Sequence, residues 1–265
     1  MKHILVPIGI SNKAVNTLNY AVEMAAHFGA IVYVADAYPP VAAPATSMAN
    51  VKGILAEKSF TRLKEIVAQV PTKGISIHIV QQGTADLLTT VKELHKKIRI
   101  DLIVVAPLSN DTNEEVFLGP VAGSVIKRTS IPVWVAPFNK GYTPTKKFLL
   151  AFKRGRIAST DMLDPLRHFV SKDHAQVHGL LVKTPGHTAE DWEIGPEIKA
   201  ISNSLSTTEN ATIYQGVLEH FQSVAPDVLC VFRRKRGFFE KLWEPDVVLK
   251  RDFYCSTPLL VLKNQ

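Results

Sequence analysis

Apolar runs alternate with segments of helical period through the first half of the chain, the order expected of a parallel sheet covered on both faces. Residues 3–7 predict a first strand. Ser11 or Asn12 offers a cap for a helix whose Val15, Leu18, Val22 and Ala25 share one face, and Gly29 offers its left-handed stop. Residues 30–35 predict a second strand, and the Pro, Ala and Ser-rich stretch to Ser47 a loop. The next helix turns Leu63, Ile66, Val67 and Val70 inward until Pro71 stops it. Ile75, Ile77 and Ile79 alternate with Ser76, His78 and Val80 in a third strand, and Gly83 leads into a helix carrying Leu87, Leu88, Val91 and Leu94. Residues 101–106 predict strand four. A polar loop, 109–115, and a short helix around 121–127 then lead to strand five at 131–136.

The order of signals restarts after a polar stretch at 139–145. Residues 147–152 predict a new first strand, followed by a helix marked by Met162, Leu163, Leu166, Phe169 and Val170, and a strand at 176–182. A helix using Ile198, Ile201 and Leu205 comes next. A short strand at 212–214 is expected to end in Gln215-Gly216, echoing Gln82-Gly83. The closing segments match without a gap, because Asp101 to Pro132 and Asp227 to Pro258 are each 31 residues apart. Asp101-Leu-Ile-Val-Val-Ala aligns with Asp227-Val-Leu-Cys-Val-Phe, Ile131-Pro-Val-Trp-Val with Thr257-Pro-Leu-Leu-Val, and Phe117 with Trp243. Matched Asp, Pro, Gln-Gly and spacing together indicate a duplication. The expected fold is α/β, with two tandem Rossmann-like five-stranded parallel-sheet units at 1–138 and 146–265 and a linker at 139–145.

Composition narrows the class. The 265 residues are 46% hydrophobic and 21% charged, ordinary for a globular protein able to bury a core. Cys230 and Cys255 are too few for a disulfide framework, which favours a reducing, cytoplasmic setting. The apolar run after Met1 stops at Pro7, too early for a signal peptide, and no stretch approaches the length of a spanning helix. The net charge of +7 is spread: residues 1–145 hold 14 basic and 10 acidic side chains, and the remainder 17 and 14. Nucleic acid is therefore not an expected partner, since its binders concentrate charge. The one dense run is Arg233, Arg234, Lys235 and Arg236, a candidate anion-binding loop.

An open parallel sheet binds ligands beyond the carboxyl ends of its strands, where the winding reverses. Here that point lies between strands one and four, bringing Pro7, Ile8 and Gly9 toward Ala106, Pro107, the polar loop and the helix after Gly119. A helix N-terminus there makes a phosphate-bearing ligand the first question.

These residues resemble the universal stress protein family. The opening Lys2-His-Ile-Leu-Val-Pro, Gly83, Asp101-Leu-Ile-Val-Val, Leu118-Gly119 and Ile131-Pro-Val carry the likeness, and the second copy's Arg233-Arg-Lys-Arg-Gly-Phe-Phe-Glu-Lys-Leu-Trp resembles the loop of tandem bacterial members. The resemblance implies an adenine nucleotide alpha hydrolase-like fold and an internal pseudo-dimer whose fifth strands pair, with a homodimer as a further option. Members that bind ATP carry glycine, two residues, glycine, nine residues, then glycine followed by Ser or Thr. That pattern falls on Ala106, Ser109, Gly119 and Pro120 in the first copy, and on Phe232, Lys235, Pro245 and Asp246 in the second. Pro120 has neither amide hydrogen nor hydroxyl. Gly9 stands where the family has an acid. The implied nucleotide positions are Pro7, Ile8, Gly9 and Ala37 near the base, and Ala106, Pro107, Ser109, Gly119, Pro120 and Val121 near phosphates.

Three readings stay open. One is a non-catalytic stress-response binding or scaffold module with a degenerate nucleotide pocket. A second is an ATP-binding switch or slow ATPase using the first copy, with Asp111, Glu114, Glu115 and Lys127 as the nearby charges and ATP or another adenine nucleotide as ligand. The third binds an anionic partner through the Arg233 run. His174 and His178 stand four apart but fall on a strand without a third ligand, so no metal is expected. Phe238, Phe239 and Trp243 are expected to be core anchors.

Overall fold

The computed structural model describes residues 1–11, 13–38, 49–82, 85–108, 116–138, 140–233, 248–249 and 256–264. The chain divides into two units, Met1–Thr143 with Asp246–Leu249, and Pro144–Pro245 with Lys250–Gln265.

In chain order the first unit carries β1 (His3–Ile8), α1 (Ala14–Phe28), β2 (Ile31–Asp36), α2 (Ala49–Ala68), β3 (Ile77–Ile79), α3 (Leu87–Ile98), β4 (Leu102–Val105), β5 (Val116–Leu118), α4 (Pro120–Arg128) and β6 (Val133–Val135). Its sheet runs β3-β2-β1-β4-β6, all parallel. Leu102, Ile103, Val104 and Val105 are fully buried. A strand covered on both faces has no polar side to show, which is why these strands read as unbroken apolar runs. Helix α1 departs from expectation at its start, where Lys13 rather than Ser11 or Asn12 is the capping position. Ser11 still serves it, accepting the Ala14 N–H on its carbonyl at 3.1 Å and the Lys13 N–H on Oγ at 3.3 Å. Asn12 lies outside the described residues. Gly29 closes the helix at φ 66°, a left-handed conformation that glycine takes without steric cost. The polar loop of the sequence reading ends in a short strand, β5, which pairs antiparallel with β11 (Val248–Leu249).

The second unit carries β7 (Lys147–Phe152), α5 (Asp164–Asp173), β8 (Gln176–Lys183), α6 (Pro196–Ile201), β9 (Ser204–Glu209), α7 (Ile213–Val224), β10 (Val228–Arg233) and β12 (Leu259–Asn264). Its sheet runs β12-β10-β7-β8-β9, again parallel. Met162 and Leu163 form a 3-10 turn ahead of α5 rather than part of it. Leu205 belongs to β9, not to a helix, and residues 213 and 214 open α7 instead of forming a strand. The Gln215-Gly216 echo is therefore incorrect. Gly216 lies one turn inside α7, where a Cβ would come within 2.9 Å of Thr208 and Val182 methyls, so its role is close helix-to-sheet packing.

The two units correspond through their caps. Asp86 accepts the Thr89 N–H at 3.0 Å to start α3, and Thr212 accepts the Gln215 N–H at 3.2 Å to start α7. Arg99 and Ala225 close the same helices in left-handed conformations, φ 51° and 46°. Asp101 then accepts the N–H groups of Lys2 and His3 at 2.5 and 3.0 Å, and Asp227 those of Lys146 and Lys147 at 2.9 Å each. Each aspartate satisfies the leading amides of the first strand of its unit, which the sheet ladder does not reach.

Buried polar groups mark two further points. Trp134 Nε1 donates to the Tyr20 hydroxyl at 3.1 Å in the core of the first unit, and burial raises the pKa of that hydroxyl. In the second unit His178 pairs through Nδ1 with Ser204 Oγ at 2.7 Å, while its buried Nε2 has no partner among the described residues. Burial, then His220 of α7 and Lys147 of β7, lower the His178 pKa. A histidine held neutral by the fold contributes stability above its unfolded pKa of about 6.5, and that contribution is lost as pH falls below it. The melting temperature is expected to drop between pH 7.5 and 5, and a His178→Gln variant to flatten that slope. An unchanged slope in the variant would assign the acid sensitivity to other groups.

Among the described residues no helix is long and apolar enough to cross a membrane. Cys230 is a buried free thiol whose pKa burial pushes up. Cys255 lies outside the described residues.

Candidate functional site

The carboxyl ends of β1 and β4 gather the first copy's predicted residues. Pro7, Ile8 and Gly9 are buried, and Ala37 donates its N–H to the Ile8 carbonyl at 2.9 Å. Ala106 and Pro107 follow β4, and the Gly119 N–H donates to the Pro107 carbonyl at 2.8 Å, joining the two segments. Pro120 opens α4, and the Gly123 N–H returns to the Gly119 carbonyl at 2.9 Å. Ser109 lies outside the described residues.

This geometry limits what the helix end can offer an anion. Three or four amides usually face a bound phosphate at a helix N-terminus. Here the Gly119 amide is used by Pro107 and Pro120 has none. Helix geometry leaves only Val121 and Ala122 without an intrahelical acceptor, and both residues are buried.

The acid at the site is one that sequence reasoning missed. Asp36, at the end of β2 and paired in register with Ile8, is 2% exposed. Its carboxylate accepts from Arg62 Nη2 at 2.7 Å, from the Tyr38 N–H at 2.8 Å and from Ser59 Oγ. The same guanidinium donates through Nη1 to the Gly9 carbonyl at 2.7 Å. Arg62 thus spans the ends of β1 and β2, on the side where the resemblance places the base. Ser59 and Arg62 are three apart on α2 and share a face. Gln82 completes the cluster by extending the β2 ladder with its side chain: Oε1 accepts the Asp36 N–H, and Nε2 donates to the Asp36 carbonyl at 3.0 Å. The available signal was a lone carboxylate closing an otherwise apolar strand.

Beside this cluster α2 and the segment after β3 border a cleft of about 520 Å³, lined by Ala56, Glu57, Ser59, Phe60, Leu63, Val80, Gln81 and Gln82. Among these lining residues there is one carboxylate and no cation, the wrong sign for a phosphate.

The second unit fills the corresponding region differently. Gly155, three residues after β7, donates its N–H to the Asp191 carbonyl at 2.7 Å and accepts the Gly195 N–H at 2.9 Å. The segment after β8 is thereby held against the end of β7. Arg154 Nε pairs with Asp191 at 3.1 Å, Arg156 with Glu193, and Lys183 lies over the Trp192 ring at 5.2 Å. Phe232, on the pattern's first glycine position, is buried at 3%. Arg233 ends β10, and burial lowers its pKa. Arg234, Lys235, Arg236, Phe238, Phe239, Trp243, Pro245 and Asp246 lie outside the described residues, so the proposed anion loop is placed only at its first member. His174 caps α5 while His178 lies on β8, and among the described residues no three metal-ligating side chains converge.

The model of the universal stress protein family matches residues 1–137. Among solved structures the chain is similar to a universal stress protein from Archaeoglobus fulgidus, with 14% identity, a TM-score of 0.67 and 98% of each chain covered. It is also similar to a functionally unknown protein from Pseudomonas aeruginosa PAO1, with 13% identity, a TM-score of 0.58, and 99% of this chain and 92% of that one covered. At these identities the likeness is one of fold. No curated protein matches the chain. With the family model spanning more than half of its length, the chain belongs to the universal stress protein family.

Proposed function

We propose that this chain is a non-catalytic binding module of its family, built from a first copy at 1–138, a linker at 139–145 and a degenerate second copy at 146–265, in which neither copy holds an adenine nucleotide in the usual way. The observation that carries the reading is the entry to α4. The amide of Gly119 is given to the Pro107 carbonyl, and the next residue, Pro120, supplies neither N–H nor hydroxyl. Phosphoryl transfer rests on several donors and a metal around the β- and γ-phosphates. The first turn of α4, Pro120-Val-Ala-Gly, has no side chain able to take part.

Arg62 supports the same reading from the base side, because its guanidinium ties the Gly9 carbonyl to Asp36. A nucleotide would have to displace a buried ion pair to enter there. The reading is tested by thermal unfolding with ATP, ADP and AMP, with and without magnesium. A ligand at about 100 times its Kd stabilises a protein by about 2.7 kcal/mol. No shift in melting temperature is expected at millimolar nucleotide, and a magnesium-dependent rise of several degrees would restore the switch or ATPase reading.

A further inference from the structure

The two copies keep one helix geometry and give it opposite surfaces. Helix α3 and helix α7 are each 12 residues long, start from a side-chain cap, end in a left-handed residue and lead to the aspartate that caps the first strand. In this register Lys92, Lys96, Lys97 and Arg99 of the first copy correspond to Leu218, Gln222, Ser223 and Ala225 of the second. All eight residues are exposed. The fold therefore does not require the four cations, since the second copy builds the same helix end without them.

Their arrangement is that of a charged strip. Lys92 and Lys96 stand one turn apart on one side of the helix, and Arg99 follows at the left-handed residue that closes it, the whole run covering about 10 Å. Lys97 lies beside them. Lys2 is brought to the same end by the bond from its N–H to Asp101. Among the described residues none of the four ion-pairs with a carboxylate, including Glu93 one turn before Lys97. Counted by halves of the chain the basic excess is diffuse; within the eight residues from Lys92 to Arg99 it is concentrated.

We infer that this face of α3 docks a nucleic-acid backbone and reads it by charge alone. Along about 10 Å of duplex axis the two strands together present about six phosphates, at one charge per about 1.7 Å, enough to give each of the four cations a partner. The large apolar residues exposed among the described residues, Ile10, Tyr38, Ile54, Leu205 and Leu218, are all absent from α3. The face thus lacks the aromatic anchors of a protein interface and the apolar wedge of a membrane-binding helix, and it has no stacking platform for bases. This inference is independent of whether the first copy binds a nucleotide.

The test is fluorescence anisotropy of the full chain with a labelled DNA duplex of mixed sequence, about 20 base pairs long, between about 50 and 200 mM salt. Four phosphate contacts predict a slope of log K against log salt near −3.6. The variant Lys96→Gln/Lys97→Ser/Arg99→Ala carries the second copy's own residues, so it should fold, with a melting temperature lowered by no more than a few degrees through the loss of cations at the helix C-terminus. It is expected to bind at least about tenfold more weakly and to lose about three units of slope. No binding by the wild type at the lowest salt, or equal binding by the variant, overturns the inference. Tighter binding to poly-glutamate or to phosphatidylserine vesicles than to DNA would also overturn it, by assigning the strip to another partner.

Discussion

Replacing Asp36 with alanine is expected to destabilise the first unit by about 3 kcal/mol, the low end of the cost of breaking a buried ion pair from one side. The low end applies because Arg62 keeps 26% side-chain exposure and can recover some solvation, whereas Asp36 keeps 3%. The loss exceeds a single hydrogen bond because the carboxylate also serves Ser59 and the Tyr38 N–H. It should appear as a fall of roughly 10 °C in melting temperature. The double variant Asp36→Ala/Arg62→Ala should recover part of it, since no uncompensated cation is left. Thermal and urea unfolding of wild type, both single variants and the double variant measure this. A cost below about 1 kcal/mol for Asp36→Ala would mean that the cluster does not tie α2 to the ends of β1 and β2.

A loss of similar size is expected in the second unit from Gly155→Ala. A Cβ at this position would lie 2.1 Å from the Glu193 carbonyl oxygen and 2.6 Å from the Ile194 Cα. These are backbone atoms, and the two segments are held together by the hydrogen bonds of Gly155 with Asp191 and Gly195. The methyl group can enter only by parting them. Overpacking costs about 1–3 kcal/mol and the strained hydrogen bonds add to it, giving about 3 kcal/mol in all. The same chemical denaturation, followed by hydrogen exchange of the Gly155 and Gly195 amides, is the measurement. Unaltered protection of both amides would contradict the packing described.

The sequence made the strands buried on both faces legible and the exposed strand β9 illegible, for one physical reason. Strands such as β4 and β10 are covered on both faces, so their burial is written as continuous apolar residues. Strand β9, Ser-Leu-Ser-Thr-Thr-Glu, is an edge strand in the second unit and is largely exposed. It has neither a run nor a clean alternation, and so the sequence reads Leu205 as part of a helix and places the strand at 212–214. The Gln215-Gly216 error followed from that slip. The Asp101 and Asp227 match was visible as spacing, but its cause was not, because each aspartate caps amides 80 or more residues away. The site shows the same division. Pro120 and Gly119 could be read in place, since the defect at α4 is local to two residues. Arg62 could not, because its partners Asp36 and Gly9 lie 26 and 53 residues away, and no short-range pattern joins them.

The proposal that the first copy lacks a phosphate cradle is tested most directly by calorimetric titration of the intact chain with ATP in the presence of magnesium. The geometry at Gly119 and Pro120 predicts no saturable heat up to about 1 mM nucleotide, which sets a limit near −4 kcal/mol on any binding. A saturable, one-site isotherm with a dissociation constant near 1 µM, about −8 kcal/mol, would contradict it.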